Sequence, residues 1–477
     1  MAGGEEEDWT GVTTLERPRT VGELKASGCQ VLPVREEMRK NLIKKIRSGE
    51  DMFPGVFGYD ETVIPHIVNA ILAGQDIIFL GERGQAKSRI IRSMISLLDD
   101  ETPILKGCEI PENPFHPITR QGRDVVEEKG DAAEIEWLER DKRYGEKLAT
   151  PDITIADLIG EVDPIKVAEG RYLSDELTIH YGLIPRTNRG IFCINELPDL
   201  AERIQVGLLN IMEERDVQIR GHRIRLPLDV FVVASANPED YTNRGRIITP
   251  LKDRYGAQVR THYPAKIEHE MEIMDAEHHP VPSDFNVVVP PYMKEIIAEM
   301  SRLARRSPDV NQRSGVSVRA SIANYESMLA NALRRAIITG EETVVPRVSD
   351  LPYCVPTFSG KVEFETVEEG REDQIIDKLI QGAVVAVFNR TYNLGELELV
   401  VNRFKSGAAV EVGDMVPSET YVKLAQQIEG LWPSVQKSAG GGSPAETASA
   451  VEFILEGLHL NKRLNKDKVG GKAQYRG

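Results

Sequence analysis

The sequence predicts an α/β fold with a mainly parallel sheet, because strand-sized apolar runs alternate with helical segments over residues 57–264. The three clearest runs lie at residues 76–80, 191–194 and 229–234. A glycine-containing loop follows the first run and leads into a helical segment that ends near Leu98. We therefore predict that the three runs are strands of the sheet.

The chain is predicted to have four parts: an acidic tail with a helix, the α/β core, a helical lid and a mostly helical C-terminal extension. Their predicted boundaries are residues 1–50, 51–265, 266–345 and 346–477. The N-terminal helix is placed at Val34–Ser48, and a flexible linker is placed near residues 438–446, where glycines cluster.

Helical periodicity supports the lid and the extension. Apolar residues recur at spacings of three and four over residues 292–305, 317–338 and 373–392, and one more helix is predicted at residues 451–464. Residues 112–152 contain many acidic and few apolar side chains. We predict that this stretch is an insertion on the surface.

Composition and charge restrict the class of protein. Hydrophobic residues make up 41% and charged residues 28% of the 477 positions, as in soluble globular proteins. The apolar runs are too short for a transmembrane helix, and the acidic N-terminus lacks the pattern of a signal peptide. A formal net charge of -16 argues against nucleic acid as a partner.

Cysteine and histidine spacing gives no metal or disulfide pattern. The cysteines, Cys29, Cys108, Cys193 and Cys354, are far apart, which predicts reduced thiols in a cytoplasmic protein. The adjacent His278 and His279 are interpreted as a solvated loop pair. The basic C-terminal tail, from Lys462 to Arg476, is predicted to be frayed, with docking to an acidic partner as the alternative.

A phosphate-binding loop is predicted directly after the first apolar run. Its residues are Gly81, Glu82, Arg83, Gly84, Gln85, Ala86, Lys87 and Ser88. Backbone N–H groups and the following helix would cradle the anion, Lys87 would reach the terminal phosphates, and Ser88 would bind Mg²⁺. Ala86 stands where glycine is common, so we expect a near-helical backbone with negative φ at this position.

The second and third runs end in polar residues that suit phosphate chemistry. The second ends at Asn195 and Glu196, where we predict Glu196 as the base that activates water and Asn195 as an indirect Mg²⁺ partner. Asparagine can bind a magnesium-bound water but adds no negative charge. The third run ends at Asn237, which could orient the water or, alternatively, form a turn before Pro238.

In order and spacing, these three elements resemble the Walker A, Walker B and sensor-1 motifs of AAA+ ATPases. Residues 53–61 (FPGVFGYDE) and 81–84 (GERG) are similar to the opening of magnesium chelatase subunit I, whereas Ala86-Lys87-Ser88 is similar to MoxR proteins. The resemblance covers residues 50–340 and implies an AAA+ αβα core that binds ATP and Mg²⁺.

The same resemblance assigns two arginines and a hairpin. Arg254 corresponds to the finger that reaches a neighbouring subunit's nucleotide, and Arg319 to the sensor-2 arginine of the lid. Residues 216–226 alternate about a glycine, which predicts a hairpin; in the family such hairpins point to the pore, and an ordinary edge hairpin is the alternative. A ring homo-oligomer, a hexamer, is expected.

The resemblance leaves several functions open. The first is a MoxR-like ATPase that remodels a protein partner carrying a von Willebrand A domain, and the second is the motor of a magnesium or cobalt chelatase. The third is a nucleotide-gated scaffold with little hydrolysis. A transcriptional ATPase is disfavoured, because the GAFTGA loop of enhancer-binding activators is absent. Because Asn195 replaces an aspartate, we expect slow but measurable hydrolysis, faster in Asn195→Asp.

Overall fold

A computed structural model describes residues 17–163, 165, 168, 176–213, 217–219, 222–224, 226–237, 245–312, 314–365, 370–439, 442–469 and 472–477. Among these residues, the central sheet has five parallel strands, in the order β11-β1-β10-β7-β4. These strands are β1 Ile77–Leu80, β4 Tyr144–Leu148, β7 Gly190–Asn195, β10 Val230–Ala236 and β11 Ala257–Arg260. The three apolar runs are therefore strands of a single sheet, and the predicted α/β class is confirmed.

Helices cover both faces of this sheet. The helices of the N-terminal part and the core are α1 Val21–Ala26, α2 Val34–Ser48, α3 Val63–Leu72, α4 Lys87–Ser93, α5 Arg120–Lys129, α6 Ile155–Leu158, α7 Leu183–Arg186, α8 Glu202–Glu213 and α9 Thr249–Arg254. Alternate residues of β7 enter different apolar clusters: Phe192 packs with side chains of α8, and Cys193 packs with side chains of α2, α3 and α4. The sheet is thus buried on both sides.

The prediction that residues 112–152 form an insertion on the surface is wrong, because part of this stretch belongs to the central sheet. It contains α5, the strand β3 Ile135–Glu139, which pairs with β2 Glu101–Leu105, and the strand β4 of the central sheet. Because β4 lies at the end of the strand order, its side chains are mostly half-buried and lack an apolar run.

Other small pairs in the core are β5 Gly160–Val162 with β6 Ile179–Tyr181 and β8 Val217–Ile219 with β9 His222–Ile224. The second pair is the predicted hairpin, whose connecting residues lie outside the described ones.

The lid and the extension are helical and share one apolar cluster. The lid holds α10 Ile267–Glu277, α11 Pro291–Ala304 and α12 Val318–Thr339, and the extension holds α13 Val355–Ser359, α14 Arg371–Thr391, α15 Glu398–Lys405, α16 Ser418–Gln427, α17 Leu431–Ser438 and α18 Pro444–Leu460. Buried side chains from Met274 to Tyr475 belong to the same cluster. Two short strands of the lid, β12 Asn286–Val287 and β13 Thr343–Val344, pair in parallel. The boundary at residue 346 stays a prediction. The apolar cluster contains side chains from both sides of it.

The C-terminal residues differ from the sequence-based expectation. Helix α18 begins at Pro444, earlier than predicted, because Ser443 and Glu446 form a capping box, so the linker is shorter than residues 438–446. The basic tail is also not frayed. It forms β15 Asn465–Val469 and β16 Lys472–Arg476, which extend a sheet with β14 Ala409–Val412. Tyr475 is buried there, and Lys466 pairs with Glu456 at 2.7 Å.

Candidate nucleotide site

The predicted phosphate-binding loop joins β1 to α4 and lies in a cleft of about 730 Å³ between the core and the lid. Backbone contacts hold the loop at its start, where the Gly81 N–H donates to the Ala236 carbonyl at 3.1 Å. Within the loop, the buried Gln85 side chain accepts from the Glu82 N–H at 3.0 Å and from the Thr261 hydroxyl at 2.7 Å. These bonds fix the loop before any ligand arrives.

Ala86 corrects one expectation about the loop. Its φ is +55°, in the left-handed region, and not negative as we expected. An L-residue with a Cβ is disfavoured there by roughly 1–2 kcal/mol. The loop therefore adopts the backbone shape of a glycine-containing phosphate loop although an alanine occupies the position.

Gly84 shows why the loop needs at least one true glycine. Its φ is +74°, and a Cβ at this position would lie 1.9 Å from the Ser317 Oγ. Ser317 caps α12, the lid helix that carries Arg319. Only a residue without a side chain lets the loop and the lid approach this closely, leaving loop backbone available to line the cleft.

Lys87 lies at the floor of the cleft and connects the loop with the end of β10. Its ammonium donates to the carbonyls of Gly81 and Glu82, the latter at 2.8 Å, and to the Asn237 Oδ1 at 2.5 Å. The amide nitrogen of Asn237 donates in turn to a Glu196 carboxylate oxygen at 2.6 Å. Three residues predicted from separate motifs therefore form one continuous hydrogen-bonded chain.

Glu196 stands at the end of β7 with an unusual backbone. Its φ is +55°, and its N–H donates to the Ser235 hydroxyl at 3.3 Å. Non-glycine residues in this region are uncommon and cluster at functional sites, where the surrounding structure holds them. Glu196, Ser235 and Asn237 all line the cleft.

Two of the remaining predicted residues line the cleft, and Asn195 does not. Ser88 is exposed at the start of α4, and Arg319 at the start of α12; both line the cleft. Asn195 lies one position before Glu196, and it accepts a hydrogen bond at 3.2 Å from the hydroxyl of the cleft-lining Ser235.

Arg254 is not among the residues that line this cleft. It ends α9 and pairs with Glu213, at the end of α8, through bonds of 2.9 and 2.5 Å. An arginine that serves a neighbouring subunit would not reach the cleft of its own subunit, so this position agrees with the expectation without testing it.

Two charged residues beside the cleft were not predicted from the sequence. Arg92 on α4 lines the cleft, and its guanidinium binds Glu146 of β4 at 3.1 and 3.2 Å. Glu146 also accepts a hydrogen bond from the Asn195 amide. No motif indicated Glu146, because β4 itself was not recognised as a strand.

The arrangement suits a polyphosphate with a divalent cation. A loop of backbone N–H groups, a buried ammonium and a helix start offer positive potential, while Ser88 and the acidic end of β7 offer oxygen ligands. Among the described residues, no cluster of three or more histidine, cysteine or acidic side chains suggests another metal site. None of the helices in the described part of the chain could cross a lipid bilayer.

The chain is similar in sequence to several known proteins. Residues 169–251 match the model of the sigma-54 interaction domain. The chain is 27% identical over 264 residues to the uncharacterized protein YeaC of Bacillus subtilis, which covers 51% of this chain and 77% of that protein. It is 23% identical over 362 residues to magnesium-chelatase subunit ChlI of Synechocystis, covering 70% of this chain and 94% of that protein.

Solved structures that match this chain include a model of the complex between subunits BchI and BchD of magnesium chelatase, at 18% identity and a TM-score of 0.35, covering 68% of this chain and 98% of that one. Another is a putative ATPase from Cytophaga hutchinsonii, at 16% identity and a TM-score of 0.31, covering 75% and 98%.

In its strand order and its sequence matches, this chain is similar to AAA+ ATPases. The matches to magnesium-chelatase subunit ChlI confirm the predicted resemblance to that family, and the resemblance to MoxR stays a prediction.

Proposed function

We propose that this chain binds Mg-ATP in the cleft and hydrolyses it between subunits of a ring. The observation that carries the proposal is the hydrogen-bonded chain from Lys87 through Asn237 to Glu196. It joins the cation that would hold the phosphates to the carboxylate that would activate water. A merely structural lysine would not need a carboxylate-linked partner at the floor of an open cleft.

Each predicted residue has a role in this proposal. The backbone of residues 81–86 and Lys87 hold the phosphates, and Ser88 binds Mg²⁺. Magnesium, when bound, neutralises charge on the phosphate oxygens. Glu196 accepts the proton of the attacking water, and Asn237 keeps the carboxylate in place through the 2.6 Å bond.

Two arginines complete the site in the proposal. Arg319 contacts the terminal phosphate from the lid of the same subunit, which its place on the cleft wall supports. Arg254 of one subunit would stabilise the transition state in the next, an effect of about 10³–10⁵ in rate where such fingers have been studied. This role requires a ring, for which we propose a hexamer.

We propose that hydrolysis remodels a protein partner, as in MoxR proteins, and that this partner carries a von Willebrand A domain. In this proposal, the hairpin of β8 and β9 and the extension contact the partner. We propose the cytoplasm as the compartment, since all four cysteines are unpaired.

The motor of a magnesium or cobalt chelatase is the second candidate. The matches to magnesium-chelatase subunit ChlI of Synechocystis and of Nicotiana tabacum favour it, the latter at 24% identity over 363 residues, covering 69% of this chain and 79% of that protein. Stimulation of ATP turnover by a tetrapyrrole-binding subunit would support this candidate, and stimulation by a von Willebrand A protein would support the first.

The third candidate, a nucleotide-gated scaffold, differs only in turnover. Asparagine in place of an aspartate at position 195 would by itself cost about 10- to 100-fold in metal affinity or activity. We therefore propose slow turnover that still depends on Glu196.

The test compares three proteins: wild type, Lys87→Ala and Glu196→Gln. We expect the wild type to hydrolyse ATP, Lys87→Ala to lose nucleotide binding, and Glu196→Gln to bind ATP without turnover. The exposed Glu128→Gln on α5 serves as a charge-matched control and should behave as wild type. If the wild type binds Mg-ATP but shows, with every partner tested, no turnover that Glu196→Gln abolishes, the chain is a nucleotide-gated scaffold. Glu196→Gln loaded with ATP is then the bait for partner capture.

A further inference from the structure

The carboxylate of Glu146, on the neighbouring strand β4, contacts the side chain of Asn195. β4 and β7 are parallel neighbours with Glu146 opposite Cys193, so Glu146 and Asn195 lie on the same face of the sheet. The Asn195 amide nitrogen donates to Glu146, whose side chain is only 23% exposed. The asparagine that replaces an aspartate is therefore backed by an acidic residue from the next strand.

The hydrogen bonds also fix which way the Asn195 amide points. Its nitrogen faces Glu146, and its oxygen accepts from the Ser235 hydroxyl at 3.2 Å and from the Cys193 thiol at 3.3 Å. Ser235 lines the cleft. The amide oxygen thus faces Ser235, a residue of the cleft wall, and the Cys193 thiol, while the amide nitrogen faces the Glu146 carboxylate.

A carboxylate that accepts from an amide N–H increases the negative partial charge on the amide oxygen. Consecutive hydrogen bonds strengthen one another by about 10–30% per bond. The relay from Glu146 through Asn195 to Ser235 consequently brings negative potential to the wall of the cleft, although position 195 itself carries no charge. An asparagine without such a partner would not do this.

Glu146 accepts hydrogen bonds from Arg92 and Tyr144 as well as from Asn195, and it forms an ion pair with Arg92. Arg92 offsets part of the charge, yet the Arg92 side chain is 62% exposed and is screened by water.

We propose that Glu146 supplies, through Asn195, the negative charge that an aspartate would otherwise provide beside Mg²⁺. Glu146 is a positioning residue in this scheme, since Asn195 and Ser235 stand between it and the cleft. The inference rests on the proposed binding of Mg-ATP. It also makes the expected slowing of turnover smaller, because Glu146 on the neighbouring strand offsets the negative charge that is lost at position 195.

The experiment measures binding of a non-hydrolysable ATP analogue to the full chain while free Mg²⁺ is varied. The readout is the Mg²⁺ concentration at which the Mg²⁺-dependent gain in binding is half complete. We expect Glu146→Gln to raise this midpoint by about 10-fold or more, the size of other effects of residues that support a metal ligand. Binding in excess chelator should be the same in both proteins.

Asn195→Asp supplies the rescue. In the double variant Glu146→Gln with Asn195→Asp, the charge returns at position 195, so the midpoint should return close to the wild-type value. Glu136→Gln, on the exposed side of β3, is the matched control and should leave it unchanged. Should Glu146→Gln fail to fold, Asn195→Leu decides, because it keeps Glu146, removes the amide relay and should raise the midpoint equally.

The outcomes separate the two proposals. A wild type that binds no analogue with or without Mg²⁺ overturns the proposed function. If the wild type binds the analogue with the same Mg²⁺ midpoint as Glu146→Gln, only the role of Glu146 is overturned. Where Asn195→Leu replaces Glu146→Gln, the same comparison applies to Asn195→Leu. The role of Glu146 is also overturned if Glu146→Gln and Arg92→Ala weaken analogue binding equally in excess chelator. Glu146 would then act only by holding Arg92 over the phosphates.

Discussion

The amide nitrogen of Asn237 donates a 2.6 Å hydrogen bond to the carboxylate of Glu196, while its amide oxygen accepts one of 2.5 Å from Lys87. One asparagine thus links the cation and the base of the cleft. Such a residue sets the direction of both side chains without itself accepting a proton.

Asn237→Ala should lower ATP turnover by about 10²-fold, because misplacement of a base by about 1 Å has effects of that order. Affinity for an ATP analogue should change little, since Lys87 keeps its bonds to the loop carbonyls. Steady-state turnover and analogue binding measure the two effects separately. Asn286→Ala, at an exposed site of the lid, is the control, and undiminished turnover in Asn237→Ala would remove Asn237 from the mechanism.

Ala86→Gly should stabilise the protein by about 1 kcal/mol, because glycine adopts the left-handed backbone at φ +55° without the steric cost of a Cβ. The same substitution in an ordinary helix has the opposite sign. Ala330→Gly, exposed on α12, should destabilise by about 1 kcal/mol. Urea unfolding followed by circular dichroism compares them, and equal losses in both variants would contradict the left-handed conformation of Ala86.

Glu37→Gln should destabilise the protein by about 3–5 kcal/mol, because it leaves a buried arginine without its counter-charge. Both Glu37 oxygens accept 2.6 Å bonds from the Arg143 guanidinium, and the two side chains are 3% and 0% exposed. The pair ties α2 to the residue before β4. Glu36→Gln, at the exposed preceding position, should stay within about 0.5 kcal/mol of wild type. Similar unfolding curves for the two variants would refute the prediction.

Cys193 should resist alkylation in the folded protein at pH 8. Burial raises its pKa to about 12, so the reactive thiolate is absent at that pH. Because the folded-state pKa is above the unfolded value, the stability contributed by Cys193 is full below about pH 8.5 and is lost as the pH rises toward 12. Mass spectrometry after iodoacetamide treatment measures labelling, with the half-buried Cys29 as the internal reference. Labelling of both residues at one rate would contradict the burial.

The strands that hold the predicted site could be found from the sequence because β1, β7 and β10 lie inside the sheet. A strand buried on both faces is a continuous apolar run, and the polar residue that ends it is conspicuous. Helix α2 was predicted at Val34–Ser48 from a segment rich in Arg, Glu and Lys, and the structure has it there.

β4 and its Glu146 could not be found in this way. An edge strand of Tyr144-Gly145-Glu146-Lys147-Leu148 has no apolar run, and its neighbour β7 follows more than forty residues later. The expectation of a negative φ at Ala86 was wrong for a different reason. The tertiary contacts of the loop impose a left-handed backbone, which alanine itself disfavours. The basic tail was judged by charge alone, although Tyr475 provides the buried contact that orders β16.

The most direct test of the account is ATP turnover by mixed assemblies of Glu196→Gln and Arg254→Ala chains. Each variant alone should hydrolyse almost no ATP, because every site lacks either its base or the guanidinium from the next subunit. Coexpressed, the two variants should regain turnover, since some sites then combine an intact Glu196 with an intact Arg254 from the neighbour. Arg47→Ala, exposed on α2, should match wild type throughout. Full activity of Arg254→Ala alone, or a coexpressed mixture as inactive as its parts, would contradict a site shared between subunits.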